Sequence, residues 1–255
     1  MDRFTIVIPA YNQLELLQRA LLSALRQEGV ATEVIVTDDS TTSAIGDYVS
    51  QVSDSRVSYY HHQPGLGAVG NWNFGLQQAQ GDYVMLMHHD EAMAGADYLR
   101  QVAALLRKGA DVVVTQVEVQ SGGRRKSRMV SRLLRGFASR HPSSLFFVNA
   151  IGPCACLAFR RSCQQPFDSG LHWLVDVEWY YRMLRGRRVV LCNDAVIESQ
   201  HGHEGQITQQ LDVAATFASD RSVVVTKYPR RAALRLMLWL YGHLVLGLKK
   251  LLGRI

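Results

Sequence analysis

The stretch Tyr83-Val84-Met85-Leu86-Met87 is an unbroken apolar run that stops abruptly on His88-His89-Asp90-Glu91. It is too short and too evenly apolar for a surface helix, so it reads as a strand buried on both faces, the sort found in parallel sheets. The polar cluster then lies at a strand's carboxyl end, where open α/β sheets bind ligands. A carboxylate there can hold a hard divalent cation that bridges phosphate oxygens; the alternative is a polar strand-to-loop turn with no chemistry.

The residues before this run repeat one unit. Phe4-Thr5-Ile6-Val7-Ile8 is a β-branched run ending at Pro9, followed by a helical pattern through Leu14, Leu17, Leu21, Leu22 and Leu25. A second predicted strand, residues 33–37, ends on Asp38-Asp39-Ser40, and a third, residues 56–60, ends on His61-His62-Gln63. Residues 65–80 supply a glycine-rich turn and another helix. Strands alternating with helices predict βαβ units, a mostly parallel sheet, and four strand ends facing one crevice. Residues suited to a nucleotide stand there: Asp39 to accept from a base N–H, Gly65 and Gly67 to let backbone approach closely, Asn71 and Asn73 to offer amides to ribose or phosphate. The glycines of Gly65-Leu66-Gly67-Ala68-Val69-Gly70 have the wrong spacing and follow the wrong strand for a dinucleotide fingerprint, which excludes a nicotinamide cofactor.

In order along the chain, Ile6-Val7-Ile8-Pro9-Ala10-Tyr11-Asn12, Val34-Ile35-Val36-Thr37-Asp38-Asp39-Ser40, Asn71-Trp72-Asn73-Phe74-Gly75 and Gly81-Asp82-Tyr83 leading to His88-His89-Asp90-Glu91 resemble the signatures of glycosyltransferase family 2. The resemblance implies a GT-A fold, a Rossmann-like α/β sheet flanked by helices, and a nucleotide-diphosphate sugar donor. It implies that Pro9, Tyr11, Asn12, Asp39, Asn71, His88 and His89 contact the donor, with Asp39 reading the base. It makes Asp90 the carboxylate for a divalent cation, Mg²⁺ or Mn²⁺. His88 stands where the family carries its first acid, so one of the two acidic positions remains, with Glu91 beside it. One carboxylate can suffice, because Mg²⁺ keeps several waters and takes other ligands from substrate phosphates.

The second half resembles the acceptor side of the same family. In Leu174-Val175-Asp176-Val177-Glu178-Trp179, Asp176 matches the general base, and Val175 replaces the acid that usually precedes it. The local reading of Asp176 is a cap or first-turn acid of a helix over 177–184, favoured there by the helix dipole, and the two readings are compatible. After a strand over 194–197 comes Ser199-Gln200-His201-Gly202-His203, where family members place a histidine near the diphosphate; His203 is the candidate to complete the metal shell, and a loop histidine without a partner is the alternative. These assignments imply an inverting transfer of sugar to a glycan or lipid-linked acceptor in surface polysaccharide synthesis. The alternative is a noncatalytic sugar-nucleotide binder on the same fold.

At 255 residues, 47% of them hydrophobic, the chain can bury one full core. The expected organisation is a transferase domain over 1–228, its halves 1–117 for the donor and 118–228 for the acceptor, with a basic apolar helix over 229–255. Four cysteines without zinc or redox spacing, and no legible leader, suggest a reduced cytosolic protein. The net charge of +6 is uneven: no acid lies between Glu118 and Asp168, while Arg124, Arg125, Lys126, Arg128, Arg132, Arg135 and Arg140 crowd together. Such a stretch points to an anionic partner; without aromatic interleaving or a known module it does not point to nucleic acid. The tail's apolar stretch, residues 236–248, is shorter than the roughly 20 residues of a membrane span. It suits either a helix lying at the inner face of the cytoplasmic membrane or a helix packed on the protein itself.

Overall fold

The computed structural model describes residues 2–121, 124–126, 132–202 and 211–247. Its first half alternates as expected: β1 (Arg3–Ala10), α1 (Leu14–Leu25), β2 (Ala31–Asp38), α2 (Ala44–Gln51), β3 (Val57–His61), α3 (Ala68–Gln78) and β4 (Tyr83–Leu86). All four residues of β4 are buried, as a central strand requires. β1 pairs in parallel with both β2 and β4, and β2 with β3, so four carboxyl ends lie along one edge.

The chain moves outward from β1 through β2 to β3, then returns to lay β4 on the other side of β1. The sheet's switch point is therefore between β1 and β4, and the crevice opens beyond their ends. Pro9 does not end β1, which runs to Ala10. The β1–β4 register stops at Val7 and Leu86, and Asp39 N–H bonds Ala10 O toward β2. Pro9, one residue off, thus faces the side where β4 has already ended, and its missing donor costs no ladder bond.

Gly75 lets α3 settle on this half of the sheet. A Cβ there would stand 2.4 Å from Val7 Cγ1 and 2.9 Å from Thr37 Cγ2, so only glycine permits the approach.

The second half adds β5 (Glu91–Met93), α4 (Tyr98–Arg107), β6 (Val112–Ser121), β7 (Arg124–Lys126), α5 (Arg132–Arg140), β8 (Leu157–Arg160), α6 (Val175–Leu184), β9 (Val189–His201), α7 (Val213–Lys227) and α8 (Ala232–Leu240). Among the described residues the strands form one nine-stranded sheet in the order β3-β2-β1-β4-β8-β6-β9-β5, with β7 on β6. β8 runs antiparallel to both β4 and β6. The boundary expected at 117/118 falls inside β6, whose partners β8 and β9 come from the second half, so one sheet joins the two halves. The strand expected over 194–197 is part of the 13-residue β9.

Two expectations about charge and the tail are refined. Arg135 is not a surface cation: it is 1% exposed and donates to Thr115 O at 2.7 Å and to Asn193 Oδ1. α8 packs on the protein through the fully buried Leu234 and Leu238, while Leu236 and Trp239 on its other side stay exposed. Among the described residues no helix is long and apolar enough to cross a membrane.

Candidate active site

At the end of β1, Asn12 adopts φ +53°, a left-handed conformation that asparagine tolerates better than most residues. Its N–H donates to Ser40 Oγ at 2.8 Å, and its Oδ1 accepts from the Thr41 N–H at 3.0 Å. Asn12 thereby fastens the loop after β1 to the loop after β2. Tyr11 beside it is half exposed.

The two aspartates of the second loop differ. Asp38 is fully buried and accepts from Ser40 N–H at 2.9 Å and Tyr59 O–H at 2.8 Å, which makes it a structural clamp. Asp39 keeps a buried Oδ1 with no partner among the described residues. Gly65 lies against it: a Cβ there would be 3.5 Å from the Asp39 carboxyl. Buried acceptors are rarely left without a donor, so Asp39 is the group in this loop with an acceptor to spare.

Asn71 and Asn73 are occupied elsewhere. Asn71 is buried; its Nδ2 donates to Thr37 O at 3.1 Å and its Oδ1 accepts from Thr37 Oγ1, which ties α3 to β2. Asn73 exchanges two bonds with the Phe167 backbone, at 3.0 and 2.7 Å. Their amides hold the crevice wall through these bonds.

At the end of β4, the ligand atoms of His88, Asp90 and Glu91 lie within 4.8 Å of one another. Glu91 Oε2 accepts from the His88 N–H at 2.8 Å, and Glu91 Oε1 lies 3.6 Å from His88 Nδ1. Burial alone would lower the His88 pKa; the charges of Glu91, Asp90 and Asp176 outweigh it and raise the imidazole to about 9. Burial pushes the Glu91 carboxyl up. His88 Nε2 is buried and unpartnered among the described residues, with the Trp72 ring 4.8 Å away edge-on. His89 Nδ1 approaches Pro9 O at 3.3 Å, so it joins the ends of β1 and β4. Asp90 and Glu91 offer two carboxylates suited to Mg²⁺ or Mn²⁺, with the His88 imidazole beside them. β9 runs alongside, with Gln200 N–H donating to Asp90 O at 2.9 Å. His203 lies outside the described residues.

Asp176 belongs to this cluster. It sits in the first turn of α6 and does not cap it: the cap position is Leu174, and no side chain bonds there. Its Oδ1 accepts a long bond from Cys154 Sγ at 3.4 Å. Burial raises its carboxyl above the usual range, against the opposing pull of the His88 charge and the Cys154 thiol.

The profile described as Glycosyl transferase family 2 matches residues 5–165, more than half of the chain. The chain belongs to this family. It is 32% identical over 127 residues to the succinoglycan biosynthesis protein ExoO of Rhizobium meliloti (strain 1021), covering 50% of this chain and 36% of that protein. It is 33% identical over 100 residues to the GalNAc(5)-diNAcBac-PP-undecaprenol beta-1,3-glucosyltransferase of Campylobacter jejuni, covering 38% and 32%. The chain thus spans about a third of the length of these relatives. Among solved structures, S. aureus TarS in complex with UDP-GlcNAc superposes with a TM-score of 0.71 at 16% identity, covering 97% of this chain and 72% of that one. The mannosyltransferase PcManGT from Pyrobaculum calidifontis, in complex with GDP-Man and Mn²⁺, gives 0.69 at 17% identity, covering 99% and 72%. These likenesses establish the GT-A fold.

In this family 2 chain, two further devices hold Asp176 in place. Asp220, on α7 and fully buried, receives the backbone N–H groups of His172, Trp173 and Leu174 on one oxygen, at 3.0, 2.7 and 2.8 Å. It fixes the strand of chain that enters α6. One turn on, buried Glu178 accepts from Arg182 at 2.8 Å and from Lys227 Nζ at 2.9 Å, locking α6 to the end of α7. Sequence reasoning missed Asp220 and Cys154. Asp220 lies 46 residues from Leu174, and no local pattern announces such a cap.

Proposed function

We propose that the chain transfers a sugar from a nucleotide-diphosphate donor to a hydroxyl of a glycan or lipid-linked acceptor, with inversion, in the synthesis of a surface polysaccharide at the inner face of the cytoplasmic membrane. The observation that carries the reading is Asp176: a carboxylate from α6, 85 residues beyond Glu91 in sequence, stands within electrostatic reach of His88 at the end of β4. A transferase that inverts needs one more group, a base for the acceptor, and the nearness of Asp176 to His88 supports that role.

Asp39 accepts from a base N–H, and the loops that Asn12 ties together support the nucleotide. Asp176 takes the acceptor proton as the hydroxyl oxygen forms its bond to the anomeric carbon, while the bond to the diphosphate oxygen breaks and that oxygen keeps the electron pair. A single displacement inverts the carbon. Burial strengthens Asp176 as a base because it disfavours the free carboxylate.

The carboxylates of Asp90 and Glu91 fit a divalent cation, which would offset charge on the departing diphosphate, with the charged His88 beside them as a hydrogen-bond donor. Two of the relatives, a succinoglycan biosynthesis protein and a glucosyltransferase of GalNAc(5)-diNAcBac-PP-undecaprenol, support the acceptor class.

Thermal shift against UDP-, GDP-, dTDP- and CDP-sugars, with and without Mn²⁺, tests the reading. A ligand that binds only the folded state raises the melting temperature, and the responding donor then enters a transfer assay. A chain whose melting responds to no nucleotide sugar is not a transferase of this kind.

A further inference from the structure

Two stretches of the chain without a single acid meet in space. One is residues 119–167; the other is 221–255, where the last acid, Asp220, has been passed. The first supplies α5 and the short turn Pro142–Phe146; the second supplies α8, which packs on that turn. Between them lies a cavity of about 380 Å³, open to solvent, lined by Arg140, His141, Ser143, Arg185, Arg230 and Arg231.

Four arginines thus line one cavity with no carboxylate among the lining residues, and none of the four makes an ion pair among the described residues. Arg185 lies over the buried Tyr181 ring at 5.8 Å, and the Arg231 N–H is bonded to Tyr228 O at 3.2 Å, so the frame of the cavity is fixed by packing. Like charges held together this way are relieved by an anion between them, and guanidinium groups match phosphate oxygens in shape as well as charge.

The rim identifies the source of the phosphate. α5, which ends at Arg140, exposes Leu133, Leu134 and Phe137, and α8, which follows Arg231, exposes Leu236 and Trp239. Leu133 is 84% exposed. A polynucleotide would satisfy the arginines and leave these side chains wet. A bilayer surface satisfies both, because phosphate headgroups and the start of the hydrocarbon lie in adjacent layers. We infer that this cavity seats the phosphate of an anionic phospholipid headgroup while the apolar rim of α5 and α8 enters the interface.

The inference deepens the membrane part of the reading above and gives the protein an orientation. α6 runs from Asp176 near its start to Arg185 at its carboxyl-terminal end. Nine residues at 1.5 Å rise separate the headgroup cavity from the acceptor base by about 14 Å.

Vesicle co-sedimentation tests it, using phosphatidylcholine with and without phosphatidylglycerol, at several salt concentrations. Two pocket variants, Arg230→Gln/Arg231→Gln and Arg140→Gln/Arg185→Gln, are compared with Arg26→Gln/Lys108→Gln, which removes the same charge from exposed positions outside the cavity. Each basic side chain near an anionic surface is worth roughly a five-fold change in affinity, so each pocket pair should lose about 30-fold on anionic vesicles and the control pair about two-fold or less. Melting temperature and donor binding should be unchanged in all three, which separates failure here from failure of the transferase reading.

Equal losses in control and pocket variants would mean attraction by net charge alone and overturn the site. Pocket variants that bind vesicles like the wild type, yet lose affinity for inorganic pyrophosphate in vesicle-free solution, would assign the cavity to a soluble anion and overturn it as well. Because all four arginines are exposed, the two pairs fold independently of one another's fate, and either one decides the question.

Discussion

Replacing Asp176 by Asn separates a catalytic carboxylate from a structural one. The amide keeps the shape and an oxygen for the Cys154 thiol, and removes the charge and the basicity. Loss of a general base costs about 10²–10⁴ in rate, or ~2.7–5.4 kcal/mol of transition-state stabilisation at 1.36 kcal/mol per decade. Stability should behave differently. The charge contributes about 0.3–1 kcal/mol in the first turn of α6 through the helix dipole, and at about 2–4 °C per kcal/mol its loss moves the melting temperature by a few degrees at most. Against this stands burial, which raises the carboxyl above its usual range. An acid whose pKa rises on folding costs stability above its unfolded value, near 4, and costs none below it. The variant should therefore gain on the wild type in melting temperature as pH rises from about 4 to 7, while transfer falls at least ~100-fold and donor affinity holds. Transfer within a few-fold of wild type would remove Asp176 as the base. A variant that loses stability most at neutral pH would show that the charge serves the fold.

Asp90→Asn should abolish the Mn²⁺-dependent part of donor binding in titration calorimetry, since the amide removes the charge that retains a cation. Asp39→Asn should weaken nucleotide binding by about 10- to 100-fold, the worth of a hydrogen bond to a charged acceptor, with an unchanged melting curve because Asp39 Oδ1 bonds nothing among the described residues. Asp220→Ala leaves three backbone donors without their acceptor and should cost about 3–5 kcal/mol, read as roughly 6–20 °C in melting temperature. Asp220→Asn should fall between; in that variant kcat should drop while donor affinity stays, because Asp220 acts only through the placement of α6.

The parallel half was legible because each strand there is a largely apolar run with a polar end and α1 has a clean period, whereas α2 (Ala44–Gln51) carries no such pattern; β1 to β4 fall within two residues of the spans read from the sequence. The antiparallel insertion was not. β5 and β8 are three and four residues long, too short to be marked, and β9 carries Asn193 and Asp194 in its middle, so only its stretch 194–197 was read from the sequence. Their pairing is decided by partners far away in the chain. The same holds within the site. Asn71 and Asn73 look identical to ligand-facing amides in sequence, and only the approach of Thr37 and Phe167 shows that they are spent on the fold. Arg135 belongs to a run of exposed cations by composition and to the interior by geometry. A tail truncated at 230 would also remove the buried Leu234 and Leu238, which is why charge substitutions are the cleaner probe of the membrane surface.

His88 changes the electrostatics of the crevice more than the loss of one metal ligand suggests. Asp90, Glu91 and Asp176 all act electrostatically on His88, and on the proposed reading the anionic diphosphate would lie beside them. With an acid at position 88 as in the family pattern, four carboxylates would meet that donor, and a cation would be a condition of binding. An imidazole raised to about 9 carries a positive charge at neutral pH, so relative to an ionised acid at 88 the local charge shifts by two units toward the donor. Its unpartnered Nε2 then holds a proton to give to a phosphate oxygen. On the proposed reading part of the work of a cation would be built into the chain, and donor binding without added metal should be weakened rather than abolished. His88→Asp, which restores the acidic position, should make that binding fully dependent on the cation.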